Sequence, residues 1–216
     1  MLTIMTRYDT LPAELPLFPL GGAILLPGEA LPLNVFEPRY LNMLDDVRSG
    51  CGHIGIIQTL PGAEGATPAV REIGGAGRLA GFKETDDGRY LITLEGVSRF
   101  RLAAELDALT PYRVARADYS GFPQDCEPDP AGFDPDRSRL IQLLRFWLEQ
   151  EGVDADWESV AAAPIIHVIN QLAMAAPFCS ADRQALLEAA DLPSRYELMQ
   201  TLIADRLADE ASRPPQ

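Results

Sequence analysis

The first half of the chain has the hydrophobic pattern of a β-rich unit. Short runs of apolar and β-branched residues are separated by turn residues, which is the spacing typical of strands. We predict seven strands, at residues 15–20, 31–35, 54–59, 73–83, 89–95, 98–106 and 112–119. The last four are expected to be joined by turns at Asp87-Gly88, Glu95-Gly96 and Thr110-Pro111. Short strands at this spacing indicate a closed or nearly closed barrel.

Prolines set further boundaries in this half. Pro16, Pro19 and Pro32 lack the amide hydrogen that a central strand donates, so we place these runs at barrel edges or bulges. A helix is predicted over residues 38–50, because Pro38 suits a first helical turn and Gly50 suits a helix end. The apolar face of this helix is formed at helical spacing by Tyr40, Leu41, Leu44 and Val47.

The second half of the chain has helical periodicity. A stretch rich in Pro, Asp and Gly precedes it and has the composition of a linker. We therefore divide the chain into a β-rich unit at residues 1–120, a linker at 121–134 and a helical bundle at 135–216. Helices are predicted from residue 134 or 135 to 152, at 157–163, at 164–175, from a cap at Ser180, and at 193–211. The predicted fold class is α+β.

Composition and charge favour a globular protein that does not bind nucleic acid. The 216 residues are 47% hydrophobic and 23% charged, and the formal net charge is −14. Such a field repels polyanions, so nucleic acid is not the expected partner. The sequence has neither the apolar core of a signal peptide nor a run long enough to span a bilayer, so we expect a cytoplasmic protein with no membrane partner.

The cysteines do not indicate disulfides or a metal site. Cys51, Cys126 and Cys179 are odd in number and widely separated, which is typical of a reducing compartment. Cys51 and His53 lie close together, but no second pair supplies the remaining ligands of a tetrahedral site. We expect no metal and no other cofactor.

The residues needed for catalysis are scarce. Lys83 is the only lysine, and it lacks both the glycine loop and the following hydroxyl of a nucleotide-binding P-loop. Its acidic surroundings would also keep the amine protonated, which excludes it as the base of a Ser-Lys peptidase. His53 and His167 accompany no nucleophile elbow, and we expect His167 to be hydrogen bonded in the core. No catalytic residues are predicted.

A series of motifs carries a family resemblance. Residues 15–20 are LPLFPL, residues 26–28 are LPG and residues 31–40 are LPLNVFEPRY. Residues 88–100 are GRYLITLEGVSRF, and the segments LLEA and DLPSR follow at 186–189 and 191–195. In this order the motifs closely resemble the substrate-binding domain at the N-terminus of Lon proteases, over nearly the whole chain.

The resemblance implies a fold and a binding role. It implies a pseudo-barrel related to PUA-like domains, followed by a small helical bundle. In Lon this region helps to recognise and hold unfolded substrates. The ATPase and peptidase modules of Lon would follow Gln216 and are absent from this sequence. We therefore expect a non-catalytic module that binds unfolded or partner polypeptides, through a groove between barrel and bundle or by strand addition.

Six motif residues are candidates for partner binding or for the motif's structure. They are Phe36, Glu37, Arg39, Tyr40, Arg99 and Phe100. A structural role is expected first for Glu37, since a carboxylate there complements the start of a helix. We also expect Arg99 to form a buried or half-buried pair with Glu37. The three aromatic residues are expected in the core rather than on a contact surface.

Two alternative functions remain open. PUA-like barrels suggest RNA binding, which requires an arginine cluster with aromatic stacking surfaces. The arginines available for it in the β-rich unit are Arg71, Arg78, Arg89, Arg113 and Arg116. A third hypothesis is a hydrolase in its own right, and it ranks below RNA binding.

Overall fold

The computed structural model describes residues 11–63, 65, 67–126 and 133–211. The chain divides into two compact units, residues 1–128 and residues 129–216. The described residues of the first unit contain six strands, one α-helix and a 3-10 turn, and those of the second unit contain five α-helices. The predicted α+β class with a helical C-terminal part is confirmed. Part of the predicted linker, residues 127–132, lies outside the described residues.

The strands of the first unit close on themselves. They are β1 (Glu14–Pro19), β2 (Ala30–Val35), β3 (His53–Thr59), β4 (Val70–Glu84), β5 (Tyr90–Leu106) and β6 (Val114–Asp118). Their order is β2-β5-β4-β3-β1-β6, and β6 also pairs with β5. The ring therefore consists of β5, β4, β3, β1 and β6. Strand β2 pairs with the first half of β5 and lies outside this ring.

Strand β5 corrects the prediction of a turn at Glu95-Gly96. The two strands predicted at 89–95 and 98–106 are one continuous strand, with a register shift against β4 near Gly96. The glycine is needed for a different reason: a Cβ atom there would lie 2.0 Å from the carbonyl oxygen of Leu26. The amide of Gly96 donates to Glu29, and its carbonyl oxygen accepts from Gly28, both at 2.9 Å. Gly96 thus admits a neighbouring loop against the strand rather than reversing the chain.

The prolines of β1 lie where the strand has a partner on one side. Residues Glu14–Pro16 pair with β6, whereas Leu17–Pro19 pair with β3. Pro16 and Pro19 therefore each have one neighbouring strand in the register, and the missing amide hydrogen breaks no second ladder. Pro32 lies in the edge strand β2, as predicted.

The core of the ring is built around Phe100. This side chain is fully buried, and a Cβ atom on Gly74 would lie 2.8 Å from its ring. Glycine at this position therefore makes room for the aromatic side chain. The buried residues packed together here are Leu15, Leu17, Ile57, Ala76, Phe100, Ala115 and Ala117.

Helix α1 (Pro38–Ser49) follows β2 and matches its prediction closely. Pro38 is in the first turn, and Gly50 follows the last helical residue. Two acidic side chains connect the helix to β5 and to the segment before β6. Asp46 accepts a hydrogen bond from the hydroxyl of Tyr112 at 2.7 Å, and Asp45 accepts one from Tyr90 at 3.3 Å.

The second unit packs its helices around Trp147. The helices are α2 (Arg137–Gln150), α3 (Trp157–Ala162), α4 (Ile165–Ala175), α5 (Ser180–Glu188) and α6 (Leu192–Ala211). Trp147 is fully buried and lies 4.8 Å from the ring of Phe178. Two predictions are wrong here. Cys179 rather than Ser180 is the residue before α5, and His167 is exposed rather than in the core.

Candidate functional site

The junction between β2 and α1 carries four of the six candidate residues. Glu37 is the residue before the helix, but its side chain makes no capping hydrogen bond. It instead accepts from Arg39, at 2.9 Å from Nε and 2.8 Å from Nη2. Both side chains are partly exposed, so the pair contributes at most about 1 kcal/mol to stability. The junction itself is fixed by Pro38 and by the burial of Tyr40.

Tyr40 is buried, as predicted, and packs between Phe18 and Arg39. Its ring centroid lies 4.3 Å from that of Phe18 and 4.6 Å from the guanidinium carbon of Arg39. Burial raises the pKa of Tyr40; Arg39 and Arg113 oppose this rise and Glu37 adds to it. The Tyr40 hydroxyl has no hydrogen-bond partner among the described residues. This donor therefore remains available to a ligand.

Tyr40 lines a cavity of about 280 Å³, which we call the Tyr40 cavity. Its walls combine apolar side chains with two arginines. The lining residues are Leu17, Pro19, Arg39, Tyr40, Thr67, Glu105, Leu106, Asp107, Ala108, Thr110, Pro111, Tyr112 and Arg113. Arg113 is bound by Glu105 and also donates to the carbonyl oxygen of Pro68 at 2.6 Å. Both guanidinium groups of the cavity are thus already paired with a carboxylate.

Phe36 corrects a prediction, because it is 62% exposed rather than in the core. It lies at the end of β2, and the guanidinium carbon of Arg89 is 5.8 Å from its ring centroid. Leu91 on the paired strand β5 is 41% exposed. We call Phe36 and Leu91, the two exposed large apolar side chains at this end of β2 and β5, the Phe36 surface.

A shallow depression of about 510 Å³ lies on this part of the sheet. Its lining residues are Pro32, Leu33, Asn34, Gly81, Phe82, Lys83, Leu91, Ile92 and Thr93. The guanidinium carbon of Arg48 lies 3.9 Å from the ring centroid of Phe82. The depression thus combines apolar side chains with a neighbouring cation.

Arg99 and Phe100 lie elsewhere, inside the unit. The Arg99 side chain is 1% exposed, and Asp125 binds it through Nε at 2.9 Å and Nη2 at 2.9 Å. Asp125 also accepts from the Arg99 amide at 2.8 Å, while Phe122 packs 4.6 Å from the guanidinium. These contacts and the burial of Phe100 indicate structural roles.

The predicted pair between Arg99 and Glu37 is therefore wrong. The two side chains have different partners: Glu37 binds Arg39, and Arg99 binds Asp125. The partner, Asp125, is in the short 3-10 turn Pro123–Cys126. Sequence reasoning missed it because it lies in the stretch interpreted as a linker.

Residues 14–205 match the family described as the ATP-dependent protease La (LON) substrate-binding domain. The match covers most of the chain. The chain belongs to this LON substrate-binding domain family. The motifs around Phe36 and Phe100 that suggested the resemblance are therefore parts of a shared fold.

Curated relatives of this LON domain are themselves Lon proteases. Lon protease 2 of Myxococcus xanthus is 24% identical over 210 residues, which are 92% of this chain and 24% of that protein. The Lon protease of Salinispora arenicola is 27% identical over 204 residues, with the same two coverages. The chain thus spans about a quarter of the length of the curated relatives it matches.

Solved structures share the fold of this LON domain. The Lon N-terminal domain protein from Xanthomonas campestris is 27% identical, with a TM-score of 0.60 over 88% of this chain and 97% of that one. The N-terminal domain of the Mycobacterium avium complex Lon protease is 15% identical, with a TM-score of 0.63 over 89% and 98%. The second likeness concerns the fold alone.

The arginines considered for RNA binding are mostly paired with carboxylates. Arg78 contacts Glu95, and Arg89 contacts Asp87 at 2.9 Å. Together with the pairing of Arg113, this reduces the positive charge that a phosphate backbone would meet. Among the described residues, no helix is long and apolar enough to cross a membrane.

Proposed function

We propose that this LON domain binds polypeptides and that its role is binding rather than catalysis. The observation that carries the proposal is the Phe36 surface, where a family motif places a large aromatic side chain in solvent. Exposed aromatic side chains that pack against a partner are typical of binding hot spots. Membership of a substrate-binding family supports the same role.

The edge strand β2 influences how a polypeptide would bind. Pro32 removes one amide from the strand, so a long ladder of added main-chain hydrogen bonds is not favoured. We infer that side-chain contacts with Phe36 and Leu91 supply most of the affinity. The net charge of −14 disfavours acidic segments and favours uncharged or basic ones.

The test compares two exposed phenylalanines. Phe36 is 62% exposed on the β-rich unit, and Phe146 is 56% exposed on helix α2. When a bound polypeptide covers the Phe36 side chain, this burial contributes about 1–2 kcal/mol to the free energy of binding, estimated from the transfer of an aromatic side chain out of water. Phe36→Ser should therefore weaken binding roughly 5- to 30-fold, whereas Phe146→Ser should leave it unchanged.

Fluorescence anisotropy with a labelled, reduced and carboxymethylated model protein measures both affinities. Circular dichroism shows that each variant is folded. Equal affinities of Phe36→Ser and the wild-type chain would reject the Phe36 surface as the site. Saturable binding of structured RNA at physiological salt, with no binding of the unfolded protein, would favour the RNA alternative.

A further inference from the structure

The Tyr40 hydroxyl differs from those of the neighbouring tyrosines. The other tyrosines described in the first unit all donate a hydrogen bond, Tyr90 to Asp45, Tyr112 to Asp46 and Tyr119 to the carbonyl oxygen of Pro12. Tyr40 is only 5% exposed, yet its hydroxyl has no partner among the described residues. Among the described side-chain atoms, the Tyr40 hydroxyl oxygen is not one of those enclosed without a partner, so it is open to solvent, and an acceptor from outside the chain can replace water there.

The charges of the Tyr40 cavity define what kind of acceptor fits. Arg39 and Arg113 disfavour a cationic ligand, but Glu37 and Glu105 already neutralise them. Asp107 adds a further negative charge to the lining. An anion would therefore gain little attraction, whereas an uncharged acceptor such as an amide carbonyl meets no repulsion.

The walls and size of the cavity favour a peptide. Leu17, Pro19, Leu106 and Pro111 provide apolar surface beside the hydroxyl. The volume of about 280 Å³ is slightly below the usual range for pockets that enclose a drug-sized ligand. It suits one or two residues of a chain that continues outside the cavity.

We propose that the Tyr40 cavity is a subsite for an uncharged peptide unit, in which the Tyr40 hydroxyl donates to a main-chain carbonyl oxygen and an apolar side chain packs beside it. The proposal rests on the polypeptide-binding function proposed above. Tyr40 lies four residues after Phe36, in the first turn of α1. The two residues thus give a bound polypeptide an outer apolar contact and an inner polar one.

Tyr40→Phe is the decisive variant. It keeps the ring that packs on Phe18 and removes one oxygen that has no partner among the described residues. The midpoint of thermal unfolding should stay the same or rise. Affinity for the labelled unfolded protein should fall about 3- to 10-fold, as expected for one hydrogen bond.

Tyr119→Phe is the matched control. Its hydroxyl donates within the chain, to Pro12 at 2.9 Å, and Tyr119 does not line the cavity. This variant should lose stability and bind the unfolded protein as the wild-type chain does. The opposite behaviour of the two variants separates binding from a general effect of removing a hydroxyl.

Titrations of N-acetyl-leucine amide and of acetate, followed by NMR shifts of the labelled Tyr40 ring, test the chemistry of the ligand. We expect saturable shifts with the amide and none with acetate. The amide should bind more weakly to Tyr40→Phe, in which the label is carried by the introduced ring at the same position. Saturation by acetate alone would overturn the carbonyl assignment.

The outcomes for the two proposals are distinct. If the wild-type chain binds no unfolded protein, the proposed function fails, and this inference fails with it. If the wild-type chain binds and Phe36→Ser weakens binding, but Tyr40→Phe does not, this inference alone is wrong.

Discussion

Replacing Asp125 with alanine tests how much the buried pair of Asp125 and Arg99 contributes to the stability of the fold. Asp125 and Arg99 form a pair whose side chains are 6% and 1% exposed. Asp125→Ala leaves a buried guanidinium without this carboxylate, and the Arg99 amide also loses its acceptor. Breaking such a buried pair by removing one partner costs about 3–5 kcal/mol.

We expect the lower end of this range, about 3 kcal/mol, because Phe122 still packs against the guanidinium. This is a large part of the stability of an ordinary domain, which is about 5–15 kcal/mol. The exposed pair of Glu37 and Arg39 gives the matched comparison. Glu37→Ala should cost less than about 1 kcal/mol, because both side chains are partly exposed to water.

Urea unfolding followed by far-ultraviolet circular dichroism measures the loss of unfolding free energy in both variants. Hydrogen exchange shows which part of the chain is destabilised. Both tryptophans, Trp147 and Trp157, lie in the helical unit, so tryptophan fluorescence does not report on the β-rich unit. Amides of β5 around Arg99 should exchange faster in Asp125→Ala. A loss below about 1 kcal/mol, equal to that of Glu37→Ala, would refute the reasoning that burial makes this pair important.

Three further predictions follow from single groups. Gly96→Ala should cost about 2–3 kcal/mol or prevent folding, measured by thermal unfolding, because the new Cβ atom meets the carbonyl oxygen of Leu26. Burial and its bond to Asp46 raise the pKa of Tyr112 from 10.0 to about 12. The tyrosine of the unfolded chain loses its proton at lower pH than that of the folded chain, so the free energy of unfolding should fall as pH rises from about 10 to about 12. The fall should be smaller in Tyr112→Phe, and urea unfolding across that pH range measures both. Casein incubated with the chain should stay intact with or without ATP, since Lys83 is exposed on β4; fragments on a gel would contradict this.

Features encoded by neighbouring residues could be predicted from the sequence. The start of α1 follows from Pro38 and from the helical spacing of the apolar residues after it, and both signals lie within one short segment. The strands, the α+β class and the family follow in the same way, from local patterns and the order of motifs. Tyr40 was correctly expected to be buried.

Features that depend on distant residues could not be predicted. Gly96 has the local appearance of a turn, but the loop that requires it lies some 70 residues earlier in the chain. Asp125 is in a segment with the composition of a linker, and its partner is 26 residues away. The same holds for the candidate site, because the cavity forms only when the end of β5 and the connection after it meet β1 and the start of α1. Phe36 has the hydrophobicity of a core residue, and only its place at the end of an edge strand exposes it.

The pairing of β1 with β6 has a consequence for synthesis on the ribosome. Glu14 pairs with Arg116, about a hundred residues later in the chain. At translation rates of 5–20 residues per second, the synthesis of β6 follows that of β1 after about 5–20 s. During that time the nascent chain presents the apolar segment LPLFP without its final neighbours. During synthesis, a LON domain of this topology therefore exposes an apolar segment of the kind that chaperones recognise.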